Sequence, residues 1–245
     1  LARTIYVPYV LSYCKKIIAM NFKIKKRQED SFNKNYFKVY ENDVKREAMY
    51  QSEIQNIIEY HSQGKILDVG CGIGKFLSFF DENRWDKYGV EVSPYAIEES
   101  KKNNIQFKEG DQYDYPNNYF DVIVFRGSLQ LIPEPFSIIL KCIKLLKKGG
   151  LMVFLSTPNS NSPYYRRFKT LPMLTLHHNY LIPSDILVSN AITNFGLKVD
   201  QIHYPYLSGP YAKPLRDSFY YLLSYIGIKK KFAFFKSMME IYAIK

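Results

Sequence analysis

Apolar residues in this chain fall into short blocks separated by helical patterns. Lys65-Ile66-Leu67-Asp68-Val69 reads as a buried strand, and so do residues 87–92, 105–108, 120–125 and 150–156. Between them the spacing predicts helices over 74–83, 94–103 and 135–147. Ile54, Ile57, Ile58 and Tyr60 follow helical spacing just ahead of the first strand, with His61-Ser62-Gln63-Gly64 as the turn. Ser93 and Pro94 form an N-cap and N1 pair for the helix over 94–103. Strands alternating with helices predict an α/β fold built on a parallel sheet. Residues 157–183, rich in Ser, Asn, Pro and Tyr, break the pattern at the carboxyl end of a strand, where open sheets bind ligands.

The strand at 65–69 runs into Gly70-Cys71-Gly72-Ile73-Gly74. Such a turn lets the backbone approach a ligand closely. Twenty-one residues past Gly70, a second strand ends in Glu91, where a carboxylate can take both hydroxyls of a ribose. The pair implies a nucleoside cofactor. A dinucleotide fingerprint needs a third glycine where Lys75 stands, and Asp68 would repel a pyrophosphate. The same Asp68 can accept a hydrogen bond from a ligand ammonium. An NAD-dependent oxidoreductase is therefore disfavoured, also by the lack of a second mononucleotide-binding half.

The order D-x-G-x-G-x-G resembles motif I of class I S-adenosylmethionine (SAM) methyltransferases. Phe120–Phe125 resembles their fourth strand, and Leu145 to Phe154 their helix, Gly-Gly turn and fifth strand. Thr157-Pro158-Asn159, and His177 followed by Tyr180, Pro183 and Ser184, resemble the ubiquinone-type, type 11/12 small-molecule branch. Phe195-Gly196-Leu197 and Glu240–Ile244 resemble the turn before the sixth strand and the last strand. The resemblance spans roughly residues 45 to 245 and implies a Rossmann-like, doubly wound seven-stranded sheet. That sheet would be mostly parallel with an antiparallel last strand. Residues 1–44 would be an N-terminal helical cap, 45–245 the methyltransferase domain, 157–183 a substrate lid and 206–236 an insertion before the last strand. The resemblance also implies SAM as cofactor and S-adenosylhomocysteine as product. Gly70, Gly72 and Gly74 would form the backbone turn, Asp68 would take the methionine end, Glu91 the ribose hydroxyls, and Asp111 and Gln112 would lie along the adenine, with Val92 and Arg126 as further cofactor-binding residues.

On the acceptor side His177 and His178 are the candidate base or anion ligands. Arg126 stands in a stretch that lacks the histidine common in the family, and offers a fork for a carboxylate or phosphate. With Arg166 and Arg167 in the lid, and Tyr36 and Tyr40 as pocket residues, it points to a small anionic acceptor. The expected reaction is O-methylation of a phosphorylated or sugar-derived precursor of a bacterial surface polysaccharide. The alternatives are a membrane lipid or quinone precursor, and a SAM-binding subunit without turnover. The [DN]-P-P-[YFW] and Pro-Cys signatures of nucleic-acid methylation are missing, so no nucleic-acid partner is expected. No metal-ligand spacing is present either.

The 245 residues carry 34 Lys and Arg against 23 Asp and Glu, a net charge of +11. This excess favours an anionic ligand or surface. The aromatic and basic stretch 206–236 keeps peripheral membrane contact open. Three cysteines without paired spacing fit a reducing, cytoplasmic setting.

Overall fold

The computed structural model describes residues 32–41, 43–103, 105–109, 113–172, 174, 179–207, 209, 211–228 and 230–245. Among the described residues, helices α1 (Lys34–Glu41) and α2 (Val44–Tyr60) precede the sheet. Then follow β1 (Gly64–Val69), β2 (Trp85–Glu91), α3 (Pro94–Ser100), β3 (Gln106–Glu109) and β4 (Phe120–Arg126). The second half holds α4 (Pro135–Leu145), β5 (Leu146–Pro158), α5 (Pro163–Phe168), α6 (Asp185–Asn194), β6 (Lys198–His203), α7 (Pro214–Leu223) and β7 (Met238–Ile244).

The strands form one sheet in the order β3-β2-β1-β4-β5-β7-β6. β3, β2, β1, β4 and β5 pair in parallel, whereas β7 runs antiparallel to both β5 and β6. The chain therefore winds outward from β1 in one direction and from β4 in the other. The crevice between the carboxyl ends of β1 and β4 is the topological switch point, where open α/β sheets take their ligands.

Alternation along each strand divides the core. Leu67, Val69, Ile123, Phe125, Met152 and Phe154 pack with Ile139, Cys142, Val188 and Ile192 of α4 and α6. Ile66, Val122, Val124, Leu151, Val153 and Leu155 pack on the other face with Tyr50, Ile54 and Ile57 of α2 and with Leu77 and Trp85. Asp68 is in phase with Ile66, so it points to the α2 face. Caps start the helices: Asp43 accepts from the N–H of Lys45 and Arg46, and Ser93, Ser162 and Ser184 cap α3, α5 and α6.

The helix expected over 74–83 is corrected to a turn and one 3-10 turn at Leu77–Phe79. Ser78 Oγ donates to the Lys75 carbonyl at 2.7 Å, in competition with helical pairing. Asp81 then closes a tight turn, accepting from the N–H of Asn83 at 2.9 Å, and its carbonyl accepts from Arg84 and Trp85. Too few residues remain between Gly74 and this turn to propagate a helix. β5 also begins earlier than expected: Leu146 pairs with Phe120 of β4, and Gly149 and Gly150 pair with Lys245 beyond the end of β7.

Phe154 is fully buried and stacks on Phe125 with ring centroids 5.2 Å apart. Truncating it leaves a cavity at the sheet centre. Phe154→Ala is expected to cost about 3–5 kcal/mol in urea unfolding; a loss below about 1 kcal/mol would contradict this packing.

Candidate functional site

The glycine turn sits at the carboxyl end of β1, with Gly70, Gly72 and Gly74 at φ of +79°, +55° and +74°. At Gly70 a Cβ would lie 2.6 Å from the Ser128 Cβ, so the turn must approach the loop after β4 without a side chain. The Gly70 N–H donates to the Val90 carbonyl at 2.8 Å, which fixes the turn on β2. Glu91 secures it from the other side. Its Oε2 accepts from the Gly72 N–H at 2.8 Å, and its Oε1 from the N–H of Val92 and Ser93 at 2.7 and 2.9 Å. Burial outweighs these hydrogen bonds and raises the Glu91 pKa.

Beside the turn lies a cavity of about 310 Å³. Asp68, Gly70, Gly72 and Lys75 form one wall, and Arg126, Gly127, Gln130 and Leu131 another. Phe37 of α1, and Arg46, Met49 and Tyr50 of α2, close it from the N-terminal side; Tyr211 and Met238 come from the far end of the chain. Lys75 is tied to Glu47 of α2 at 3.0 Å, so the cap is fastened to the turn itself.

Three cavity-lining polar atoms are buried and have no hydrogen-bond partner among the described residues: Asp68 Oδ1, Gln130 Oε1 and Asn179 Nδ2. Buried polar atoms are seldom left so, and three facing one cavity mark where a ligand supplies the missing bonds. Burial, set against the attraction of Arg126 and reinforced by Glu91 and Glu53, pushes the Asp68 pKa up to about 7. A ligand ammonium beside it would satisfy Oδ1 and restore the ionised form.

Arg126 is placed differently from expectation. Its Nε and Nη2 donate to Glu53 at 2.6 and 3.2 Å, and its guanidinium lies over the Tyr50 ring, 4.2 Å from the centroid. Ser156 Oγ donates to the same carboxylate at 3.0 Å. Burial alone would lower the Arg126 pKa, but Glu53, with Tyr50 and Asp68, offsets it and the value rises. The fork expected to grip a substrate anion therefore grips Glu53.

Arg166 and Arg167 are also not cavity residues. Arg166 bonds the Asn161 side chain, whereas Arg167 donates to Ser224 and lies over the Tyr225 ring. Arg167 fastens α5 to the segment before β7, whereas Arg166 bonds the loop just ahead of α5. Tyr36 lines the cavity, and Val92 packs next to it among Phe32, Phe37 and Ala96. His177, His178, Asp111 and Gln112, and the Tyr40 side chain, lie outside what the structure describes.

Glu53, Tyr211 and Met238 were not foreseen, whereas Arg46, Met49 and Tyr50 belong to the stretch 33–50 that the sequence places as a helical cap over the cofactor mouth. Glu53 carried a signal: Tyr50, Glu53, Ile54 and Ile57 share one helical face, and an acid on an apolar face needs a buried partner.

This turn, carboxylate pair and switch-point cavity fit an α/β fold with a nucleoside site at its switch point. The profile of the methyltransferase domain family matches residues 40–202. Ubiquinone biosynthesis O-methyltransferase of Nitrosomonas europaea is 31% identical over 123 residues, 46% of this chain and 51% of that enzyme. The enzyme of the same description from Aliivibrio fischeri is 29% identical over 169 residues, 60% of this chain and 71% of that one. This chain thus spans about half of the first of these relatives and about seven-tenths of the second. In structure it resembles a SAM-dependent methyltransferase, possible histamine N-methyltransferase, from Thermotoga maritima. The TM-score is 0.60 at 18% identity, covering 91% of this chain and 99% of that one. The chain belongs to the class I SAM-dependent methyltransferases, and SAM is the cofactor of that family. The residues fit it: a cradle that admits no Cβ, Glu91 at the end of β2, and an unpartnered Asp68 Oδ1 for the methionine ammonium.

Asp68 therefore couples binding to pH. The free protein holds a proton on Asp68 below about 7, and a ligand ammonium favours its loss. S-adenosylhomocysteine should bind more tightly as pH rises through that value, by up to about tenfold per unit below it. The apo protein has the opposite dependence. A folded pKa raised above the ordinary aspartate value of 3.8 means the folded state holds a proton that the unfolded chain has released, so this contribution to stability falls between about pH 4 and 7. Asp68→Asn should flatten the affinity profile, weaken binding at least about tenfold and raise the apo Tm at alkaline pH by several degrees. Calorimetry and thermal melts across pH check both; an unchanged affinity profile would remove Asp68 from the cofactor site.

Proposed function

We propose that the chain transfers the SAM methyl group to an oxygen of a small, largely apolar aromatic acceptor. The cavity carries this reading: Asp68 lies on one wall, whereas Tyr36, Met49, Tyr50, Phe76, Leu131 and Met238 build an apolar, aromatic surround. Such a lining suits a ring rather than a sugar phosphate. The oxygen acceptor is supported by the relatives described as ubiquinone biosynthesis O-methyltransferases. The anionic, polysaccharide-precursor acceptor loses its three guanidinium groups: Arg126 is bound to Glu53, and Arg166 and Arg167 stand elsewhere.

The bound cofactor supplies an activated methyl on a sulfonium. The chain's own residues then have to align, exclude water and hold protons. Glu53 neutralises Arg126, so the cavity adds no net cation next to the sulfonium. Burial keeps Tyr50 neutral, its pKa raised despite the nearby Arg126. The Gln130 amide is anchored by its Nε2, which donates to the Gly127 carbonyl at 2.8 Å. That leaves Oε1 to accept a hydrogen bond from the acceptor hydroxyl, and Asn179 Nδ2 to donate to a neighbouring oxygen.

Turnover of a catechol bearing an alkyl tail, followed by transfer of labelled methyl from SAM, tests the reading against a sugar phosphate. Gln130→Leu should lower kcat/KM for the catechol about tenfold or more and leave S-adenosylhomocysteine affinity unchanged. Methylation of the sugar phosphate with the catechol untouched would overturn the proposal.

A further inference from the structure

Helix α7 is built inside out. Leu215, Phe219 and Leu222 lie at i, i+4 and i+7, on one face, and are 92%, 57% and 65% exposed. Tyr225 and Ile226, in the 3-10 turn that follows, extend the face at 62% and 73% exposed, and Ile228 is exposed after them. The inward side carries the polar groups. Asp217 is fully buried; its carboxylate accepts from the Tyr206 hydroxyl at 2.9 Å, the Lys213 N–H at 2.8 Å and Arg216 at 2.6 Å. Ser224 is nearly as buried and receives Arg167 Nε at 3.1 Å. Beneath them, Tyr164, Phe168, Tyr221, Phe232 and Phe234 form a separate aromatic cluster, with Tyr221 stacked on Phe234 at 4.5 Å.

The orientation is thus fixed. Turning α7 over would bury the leucines but strand the Asp217 and Ser224 networks. Rows of large apolar side chains held outward in this way mark an interaction face. Its charge indicates the partner. Residues 204–237 contain Lys213, Arg216, Lys229, Lys230, Lys231 and Lys236 against the single acid Asp217, which is consumed inside. Lys213, Lys230 and Lys231 are exposed beside the apolar row. A two-fold contact with a second copy would set these cations against themselves. An apolar row rimmed by lysines matches an anionic bilayer, with the side chains entering the acyl boundary and the ammonium groups at the headgroups.

We propose that α7 and the turn after it dock this protein on anionic membrane surfaces. The inference rests on this face alone and holds whatever the methyl acceptor is. Tyr211, from the same segment, also lines the cavity, so the docked face continues into the wall of the site.

Flotation with phosphatidylglycerol-containing vesicles against pure phosphatidylcholine tests it. The full chain should float with the anionic vesicles, several-fold less at high salt. The triple variant Leu215→Ser, Phe219→Ser, Leu222→Ser should lose at least about nine-tenths of the bound fraction. Lys230→Glu with Lys231→Glu should weaken binding to anionic vesicles only. These side chains are exposed, and unchanged S-adenosylhomocysteine binding verifies that the variants fold. Failure of the wild-type chain to float, or equal flotation of the triple variant, overturns the proposal. So does a concentration-dependent dimer that the triple variant abolishes while vesicle binding persists.

Discussion

The buried pair of Glu53 and Arg126 holds the site together. It joins α2, outside the sheet, to the last residue of β4 at the switch point. Each charge alone in that position would cost several kcal/mol, and removing one partner of such a pair costs roughly 3–5 kcal/mol. The pair also sets the electrostatics around it. Arg126 lies over Tyr50 and Phe76 and attracts the Asp68 carboxylate, while Glu53 repels it. Glu53 also acts on Glu240 of β7. Burial first, and Glu53 next, push the Glu240 pKa up to about 7. Because the pair is neutral as a unit, Asp68 is left to decide which charge the cavity prefers. That preference is for a cation, as a ligand with an ammonium and a sulfonium requires.

The same arrangement leaves the cavity wall with polar atoms that are buried but not hydrogen-bonded among the described residues. Asp68 Oδ1, Gln130 Oε1 and Asn179 Nδ2 are desolvated without a return in hydrogen bonds among the described residues. Glu91 is spent on the backbone of the glycine turn, and that backbone is kept clear of side chains by Ser128 on one side and Phe37 on the other. Binding energy from a cofactor can then be large because the partners are already fixed and dry. These groups come from β1, β2, the loop after β4 and the N-terminal helices, so nothing short of the folded sheet assembles them.

Much of this was legible locally. Parallel strands covered on both faces appear as continuous apolar runs, so β1, β2 and β4 were readable to within two residues. Ser93 and Pro94 announced α3, and the glycine turn announced the crevice. What escaped were pairings across long separations. Nothing near Arg126 in sequence shows that Glu53, 73 residues earlier, occupies it. Nothing near Arg167 shows that Ser224 awaits it 57 residues later. An arginine in a loop after a strand has the same local look whether it grips a substrate or a helix. The missing helix at 74–83 has a different cause: its apolar spacing was adequate, but Ser78 and Asp81 offered the backbone better partners nearby.

Helix α7 shows the limit of amphipathic patterns most clearly. A pattern of Leu215, Phe219 and Leu222 opposite Asp217 and Ser224 fixes two faces and leaves open which of them faces in. The usual assignment buries the leucines. Here Tyr206, Arg216 and Arg167 reverse it by giving the polar side a complete set of partners inside. Those partners bind the helix to α5 and to the strand segment before it, and through Tyr211 to Asp43 at the start of α2. The outward face, the cavity wall and the cap over the glycine turn therefore share one mechanical connection.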